Sequence, residues 1–142
     1  MIASGSTPNT PQGIPGIEHC WTSDDVFTME QVPKSMVALG SGYIGIEMSQ
    51  IMQALGSQVV IVCRSSLLRG IVDPEITAVL KDNMYKLGTT CVTASPTKVE
   101  KLDSGMLRVH LDNGEHLDAE VVLNATGRKP NLDSLCLENA GV

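Results

Sequence analysis

The 142-residue chain has the length of one domain with one sizeable core, and it leaves no room for two cofactor domains together with a subunit interface. Hydrophobic residues at 42% and charged residues at 18% are an ordinary globular composition, while aromatics at 3% leave the core to Val, Ile, Leu and Met. A formal net charge of −6 offers no basic surface for general nucleic-acid binding, and no run approaches the roughly twenty apolar residues that span a bilayer.

Residues 1–32 read as irregular, because Pro8, Pro11, Gly13, Pro15 and Gly16 punctuate a stretch that no helix or central strand could cross. Ser23 reads as an N-cap, with Asp24 and Asp25 in the first turn of a short helix ending near Met29. Met36-Val37-Ala38-Leu39, stopped by Gly40, has the character of a buried parallel strand. Ile44, Met48, Ile51, Met52 and Leu55 then recur at helical spacing up to Gly56. Gln58 to Cys63 is a second β-rich run, which completes a β-α-β unit.

Pro74 suits a first helical turn, and Ile76, Val79, Leu80, Met84 and Leu87 mark a helix closed by Gly88. Thr89 to Thr93 reads as a third strand. Thr97 to Leu102, Met106 to Leu111 and His116 to Glu120 are short segments separated by Asp103-Ser104-Gly105 and Asp112-Asn113-Gly114, the pattern of an antiparallel meander. Val121-Val122-Leu123-Asn124 returns to the parallel sheet. The expected architecture is therefore α/β: a Rossmann-like parallel sheet flanked by helices, with an antiparallel three-stranded meander.

Gly40-Ser41-Gly42-Tyr43-Ile44-Gly45 fits G-x-G-x-x-G and sits between a buried strand and a helix, the context that a dinucleotide fingerprint requires. Gly40 allows the tight turn, Gly42 lets backbone approach a pyrophosphate, and Gly45 lets the helix pack on the strand. The pyrophosphate would meet free N–H groups, including that of Ile44, at the positive end of the helix dipole. An acidic residue for the ribose hydroxyls of NAD is expected about 20 residues on, at the end of the second strand. Cys63 stands there, followed by Arg64 and then Arg69, and guanidinium groups suit a ribose 2′-phosphate. This pattern favours NADPH over NADH.

The cysteines Cys20, Cys63, Cys91 and Cys136 form neither C-x-x-C nor a zinc-like ligand set, so no metal site is expected. They read as small apolar residues in a reducing compartment, cytoplasmic or mitochondrial. His19, His110 and His116 read as surface residues.

The stretch Val37 to Arg69 resembles the NAD(P)H domain of the pyridine nucleotide-disulfide oxidoreductases, the family of glutathione, trypanothione and large thioredoxin reductases and dihydrolipoamide dehydrogenase. Its carriers are Gly-x-Gly-Tyr-Ile-Gly-Ile-Glu and Arg64-Ser65-Ser66-Leu67-Leu68-Arg69-Gly70. Ile2-Ala3-Ser4-Gly5-Ser6-Thr7-Pro8 looks like the segment that leaves the FAD domain of such proteins, and Asn124-Ala125-Thr126-Gly127-Arg128-Lys129-Pro130-Asn131 like the one that returns.

The resemblance implies an entry segment over 1–32, an NAD(P)H-binding domain over 33–126 and a return segment over 127–142. Tyr43 matches the tyrosine that covers the flavin and moves aside for the nicotinamide. Glu47, one turn further along the same helix face, matches the acid that pairs with a flavin-adjacent lysine. Gly127 matches a position near the nicotinamide, and the backbone at Val99 one near the adenosine.

Gly45 departs from the alanine common in NADPH-using members and points to an NADH-dependent, dihydrolipoamide dehydrogenase-like reading; a stand-alone nucleotide-sensing module is the other alternative. FAD and a disulfide substrate would be handled by residues this chain does not contain, in a parent expected to be a homodimer. The chain by itself is expected to be a monomer that binds nucleotide without turnover.

Overall fold

A computed structural model describes residues 1–68 and 70–141. Among the described residues the strands and α-helices follow in the order β1 (Ser6–Pro8), α1 (Ser23–Thr28), β2 (Ser35–Leu39), α2 (Tyr43–Ala54), β3 (Gln58–Cys63), α3 (Pro74–Lys86), β4 (Thr90–Thr93), β5 (Pro96–Lys101), β6 (Leu107–Leu111), β7 (His116–Ala119), β8 (Val121–Asn124) and β9 (Arg128–Pro130). Four of the strands form a parallel sheet in the order β4-β3-β2-β8, and β5, β6 and β7 form the expected antiparallel meander.

The two-residue period of an extended chain divides the core in two. On one side Met36 and Ala38 of β2, Val59 and Ile61 of β3, and Val121 and Leu123 of β8 pack against Val26 of α1, Ile46, Met48 and Met52 of α2, and Met84 of α3. On the other, Val37, Leu39, Val62 and Val122 pack against Val99 of β5, Leu107, Val109 and Leu111 of β6, and Ala119 of β7. The three α-helices thus all lie on one face of the sheet. The meander takes the opposite face, so β2 and β8 are buried on both sides and must be apolar throughout their central positions.

Both long helices stop where glycine follows their periodic residues. Gly56 and Ser57 donate to the carbonyls of Gln53 and Met52, and Gly88 and Thr89 donate to those of Tyr85 and Met84, each pair at 3.0 Å. These are the paired bonds of a Schellman motif, which satisfies carbonyls that the helix end would otherwise orphan. At α1 the cap is Thr22 rather than Ser23. The Asp25 carboxylate accepts from the Thr22 backbone N–H at 2.7 Å and from its hydroxyl at 2.9 Å, which fixes the helix start one residue earlier.

The N-terminal stretch is less irregular than its prolines imply. Ser6–Pro8 pairs antiparallel with Arg128–Pro130, and the Arg128 guanidinium donates to the Ser6 hydroxyl at 2.8 Å and to its carbonyl at 2.6 Å. Trp21 donates its N–H to Val122 O at 2.8 Å and accepts from Asn124 N–H at 2.7 Å, forming a one-residue parallel bridge along the outer edge of β8.

The exposed face of the meander is held by charge. Arg108 donates two hydrogen bonds of 2.7 Å to Asp118 on the adjacent strand, and His110 Nε2 lies 2.9 Å from Glu100. These partners hold the Asp118 and Glu100 carboxyls below the ordinary carboxylate range. A carboxyl with a depressed folded-state pKa contributes stability that is complete above its unfolded value and disappears as pH falls through the folded one. Urea denaturation should therefore show stability falling as pH drops below about 4, and Arg108→Gln should make that acid limb shallower. An unchanged limb in the variant would mean that the pair contributes nothing to acid sensitivity.

Candidate functional site

Parallel strands joined by right-handed crossovers leave a crevice where the connections diverge, at their carboxyl ends. Here the divergence lies between β2, whose chain continues to β3 and β4, and β8 on the other side. The turn Gly40-Ser41-Gly42 leaves β2 at this point and opens directly into α2.

The three fingerprint glycines have different reasons to be glycine. Gly40 adopts φ +112°, and a Cβ there would overlap the Ala125 carbonyl. A Cβ on Gly45 would overlap the Gly40 carbonyl and sit 3.4 Å from the Ala125 methyl. Both positions are dictated by the close passage of α2 over the ends of β2 and β8. Gly42 is the N-cap, with an ordinary φ of −74°, and a Cβ on it would meet nothing within 4 Å. Its side-chain position faces open space.

The α2 ladder begins at Ile46, whose N–H donates to Gly42 O at 3.1 Å. The N–H groups of Tyr43, Ile44 and Gly45 precede that first rung and are the orphan donors of a helix start. The first turn of α2 contains no acidic residue, so nothing in it competes for the positive end of the helix. Tyr43 is 56% exposed, and Glu47 is exposed one turn along, so both side chains stand on the outward face of α2.

Arg64 follows β3 directly and is exposed. Its loop is tied to the glycine turn, since Ser41 Oγ donates to Ser66 O at 3.4 Å and Leu68 N–H donates to Ser41 O at 2.9 Å. Arg69 lies outside the described residues. On the other flank, Gly127 has φ +135°, and its carbonyl accepts from Asn9 N–H at 2.9 Å.

Asn124, the last residue of β8, organises this flank. Its amide donates to Asn9 O at 2.8 Å, and its Oδ1 accepts from the Thr126 hydroxyl at 2.7 Å. A polar residue ending an otherwise apolar run was the one available signal of this role.

Gly40, Gly42, Tyr43, Ile44, Gly45, Arg64 and Gly127 thus belong to the turns and the helix start that border the crevice, with Glu47 on the adjoining helix face. Val99 does not join them. It is 2% exposed in the meander core, and its N–H donates to Pro15 O at 2.8 Å. Gly16 packs so closely on the Val99 carbonyl that a Cβ there would overlap it. The backbone expected at the adenosine is therefore engaged by this chain's own N-terminal segment.

Two of the thiols, Cys20 and Cys91, are poorly suited to redox chemistry. Burial, with help from Glu18, pushes Cys20 up to about 12, and burial raises Cys91 as well. Both stay protonated at neutral pH, whereas the thiolate is the reactive form. Among the described residues no helix is long and apolar enough to cross a membrane.

Comparison with known proteins places these features in a family. The family model for pyridine nucleotide-disulphide oxidoreductases matches residues 1–142. The chain is 39% identical to glutathione reductase of Nostoc sp. strain PCC 7120 and 36% identical to mercuric reductase of Lysinibacillus sphaericus, with all of this chain covered in both comparisons. It spans 31% of the first of these proteins and 27% of the second, so it corresponds to about a third of its relatives or less. Among solved structures, the HOCl-induced flavoprotein disulfide reductase RclA of Escherichia coli superposes with a TM-score of 0.86 at 27% identity, over 99% of this chain and 32% of that one. With its glycine turn, its layer order and its full length all accounted for, the chain belongs to the pyridine nucleotide-disulfide oxidoreductase family.

Proposed function

We propose that this chain binds a nicotinamide dinucleotide along the carboxyl edge of its parallel sheet, NADPH in preference to NADH. In this reading it is the NAD(P)H-binding part of a flavin-dependent disulfide reductase, and residues beyond it hold the FAD, the reacting cysteines and a dimer interface. The observation that carries the reading is Gly42. Neither its φ nor any neighbouring atom requires glycine there, and without a Cβ it leaves the backbone at the helix start open to a ligand that approaches from outside. A pyrophosphate on the N–H groups of Tyr43, Ile44 and Gly45 is such a partner.

The pyrophosphate sits on the start of α2, the adenosine ribose extends toward Arg64, and the nicotinamide extends toward Gly127. Tyr43, exposed at the helix start, covers the flavin site and yields to the nicotinamide. Glu47 orients a cation on the flavin side. The flavin supplies the redox chemistry, while this chain binds and orients the nucleotide and keeps water from it.

The preference for NADPH rests on Arg64, which meets no carboxylate within ion-pair distance among the described residues and follows the strand where an NAD-binding acid would stand. Gly45, the residue that favoured NADH, is accounted for by its contact with the Gly40 carbonyl and does not bear on the ribose.

Calorimetric titration with NADPH and NADH tests both parts. Gly42→Ala should lower the thermal midpoint only slightly, since alanine is a poorer N-cap than glycine, yet weaken both nucleotides by about tenfold or more, because the added methyl displaces a charge-assisted contact. Unchanged affinities would remove the main support for the site. Gly45→Val, by contrast, should cost about 1–3 kcal/mol of stability through overpacking. Arg64→Ala should weaken NADPH about tenfold and leave NADH alone, the loss expected of a charged hydrogen bond. Tighter binding of NADH by the unmodified chain would contradict the preference and favour a dihydrolipoamide dehydrogenase-like parent.

A further inference from the structure

Beside the glycine turn, the loop after β3 and the first turns of α3 enclose a cavity of about 370 Å³. Among the described residues its lining includes Ser65, Ser66, Thr77, Thr93 and Lys81, and no carboxylate. Cys63, the residue at the ribose-recognising end of β3, forms part of the wall. The cavity is continuous with the proposed pyrophosphate site, because Ser66 on its wall accepts the Ser41 hydroxyl bond at 3.4 Å. Ser41 is the middle residue of the glycine turn.

Lys81 is otherwise unemployed. On the same helix, Lys86 holds Asp82 at 2.6 Å, whereas Lys81 has no carboxylate partner among the described residues and rests with its ammonium 5.7 Å from the Tyr85 ring centroid. Such an exposed cation–π contact is weak enough to yield to a phosphate. The ammonium field also reaches the cavity wall, where it lowers the Cys91 thiol against the stronger, opposing effect of burial. A cavity whose described lining offers hydroxyl donors and a cation but no acid is suited to an anion.

We infer that this cavity seats the ribose 2′-phosphate and that Lys81 of α3 is a specificity-determining cation for it, in addition to Arg64 at the adjoining end of β3. The inference rests on the proposed dinucleotide site at the glycine turn and adds to it a residue from an element outside the fingerprint. A 2′-phosphate carries more than one negative charge near neutral pH, so cations from two elements share it. The Ser65 and Ser66 hydroxyls donate to its remaining oxygens.

The test is titration of the unmodified chain, Lys81→Gln and Lys81→Arg with NADPH, NADH and adenosine 2′,5′-bisphosphate. Lys81 is exposed on the helix surface, so both variants should fold. Lys81→Gln should weaken NADPH and the bisphosphate about three- to tenfold, leave NADH unchanged, and lose its difference from the unmodified chain as salt is raised. Lys81→Arg should keep the preference. If NADPH binding is unchanged in Lys81→Gln, or falls in step with NADH, the inference is overturned while the glycine-turn site stands. If the unmodified chain binds neither nucleotide, or prefers NADH, the inference is overturned, and in the former case the site falls with it.

Discussion

The structure depends on one close approach of backbone to backbone. The first turn of α2 passes over the end of β2 with the Gly45 Cα against the Gly40 carbonyl, and Gly40 itself lies against the Ala125 carbonyl at the end of β8. Three chain segments meet there without an intervening side chain. The consequence is directional: the helix begins almost on the sheet edge, so its orphan N–H groups open onto the crevice between β2 and β8. A side chain at position 40 or 45 would lift the helix and move those donors away from the edge.

The layers on either side keep that edge rigid. Because β2 and β8 are buried on both faces, by helices on one side and by the meander on the other, neither strand can shift without disturbing two cores. Asn124 and Ser41 extend this rigidity into the turns. The first ties Thr126 and Asn9 together beneath Gly127, and the second ties the glycine turn to the loop after β3. Glycine gives the turns their close approach, and hydrogen bonds from neighbouring polar residues limit the freedom that glycine brings.

Most of this architecture was legible in the chain because its signals are local and periodic. The doubly buried strands, the two helices ended by Gly56 and Gly88, and the meander with its Asp-Ser-Gly and Asp-Asn-Gly turns all follow from short windows. What escaped depends on distant partners. Ser6–Pro8 becomes a strand only because Arg128–Pro130 is there to pair with it, and proline suppresses the propensity that would have revealed it. Whether helices or a meander cover a given sheet face is also a question of chain path, which alternation within a strand does not encode. Among the candidate site residues, the positions of the fingerprint glycines and Arg64 are fixed by the strands and helix they adjoin, which short windows reveal. Val99 was transferred by resemblance alone, and Pro15 and Gly16 cover it. Lys81 lines the cavity at the end of β3 from the next helix, so no short window around the glycine turn contains it.

The central claim is that a dinucleotide lies on the carboxyl edge with its pyrophosphate at the start of α2. The most direct measurement is a two-dimensional amide NMR titration of the chain with NADPH. The account predicts that the largest shifts fall on Gly42, Tyr43, Ile44 and Gly45, with smaller ones at Arg64 to Ser66 and at Gly127, and that Val99 and the meander core stay fixed. Shifts confined to the meander, or to the exposed face of α3 around Ile76 and Val79, would contradict it.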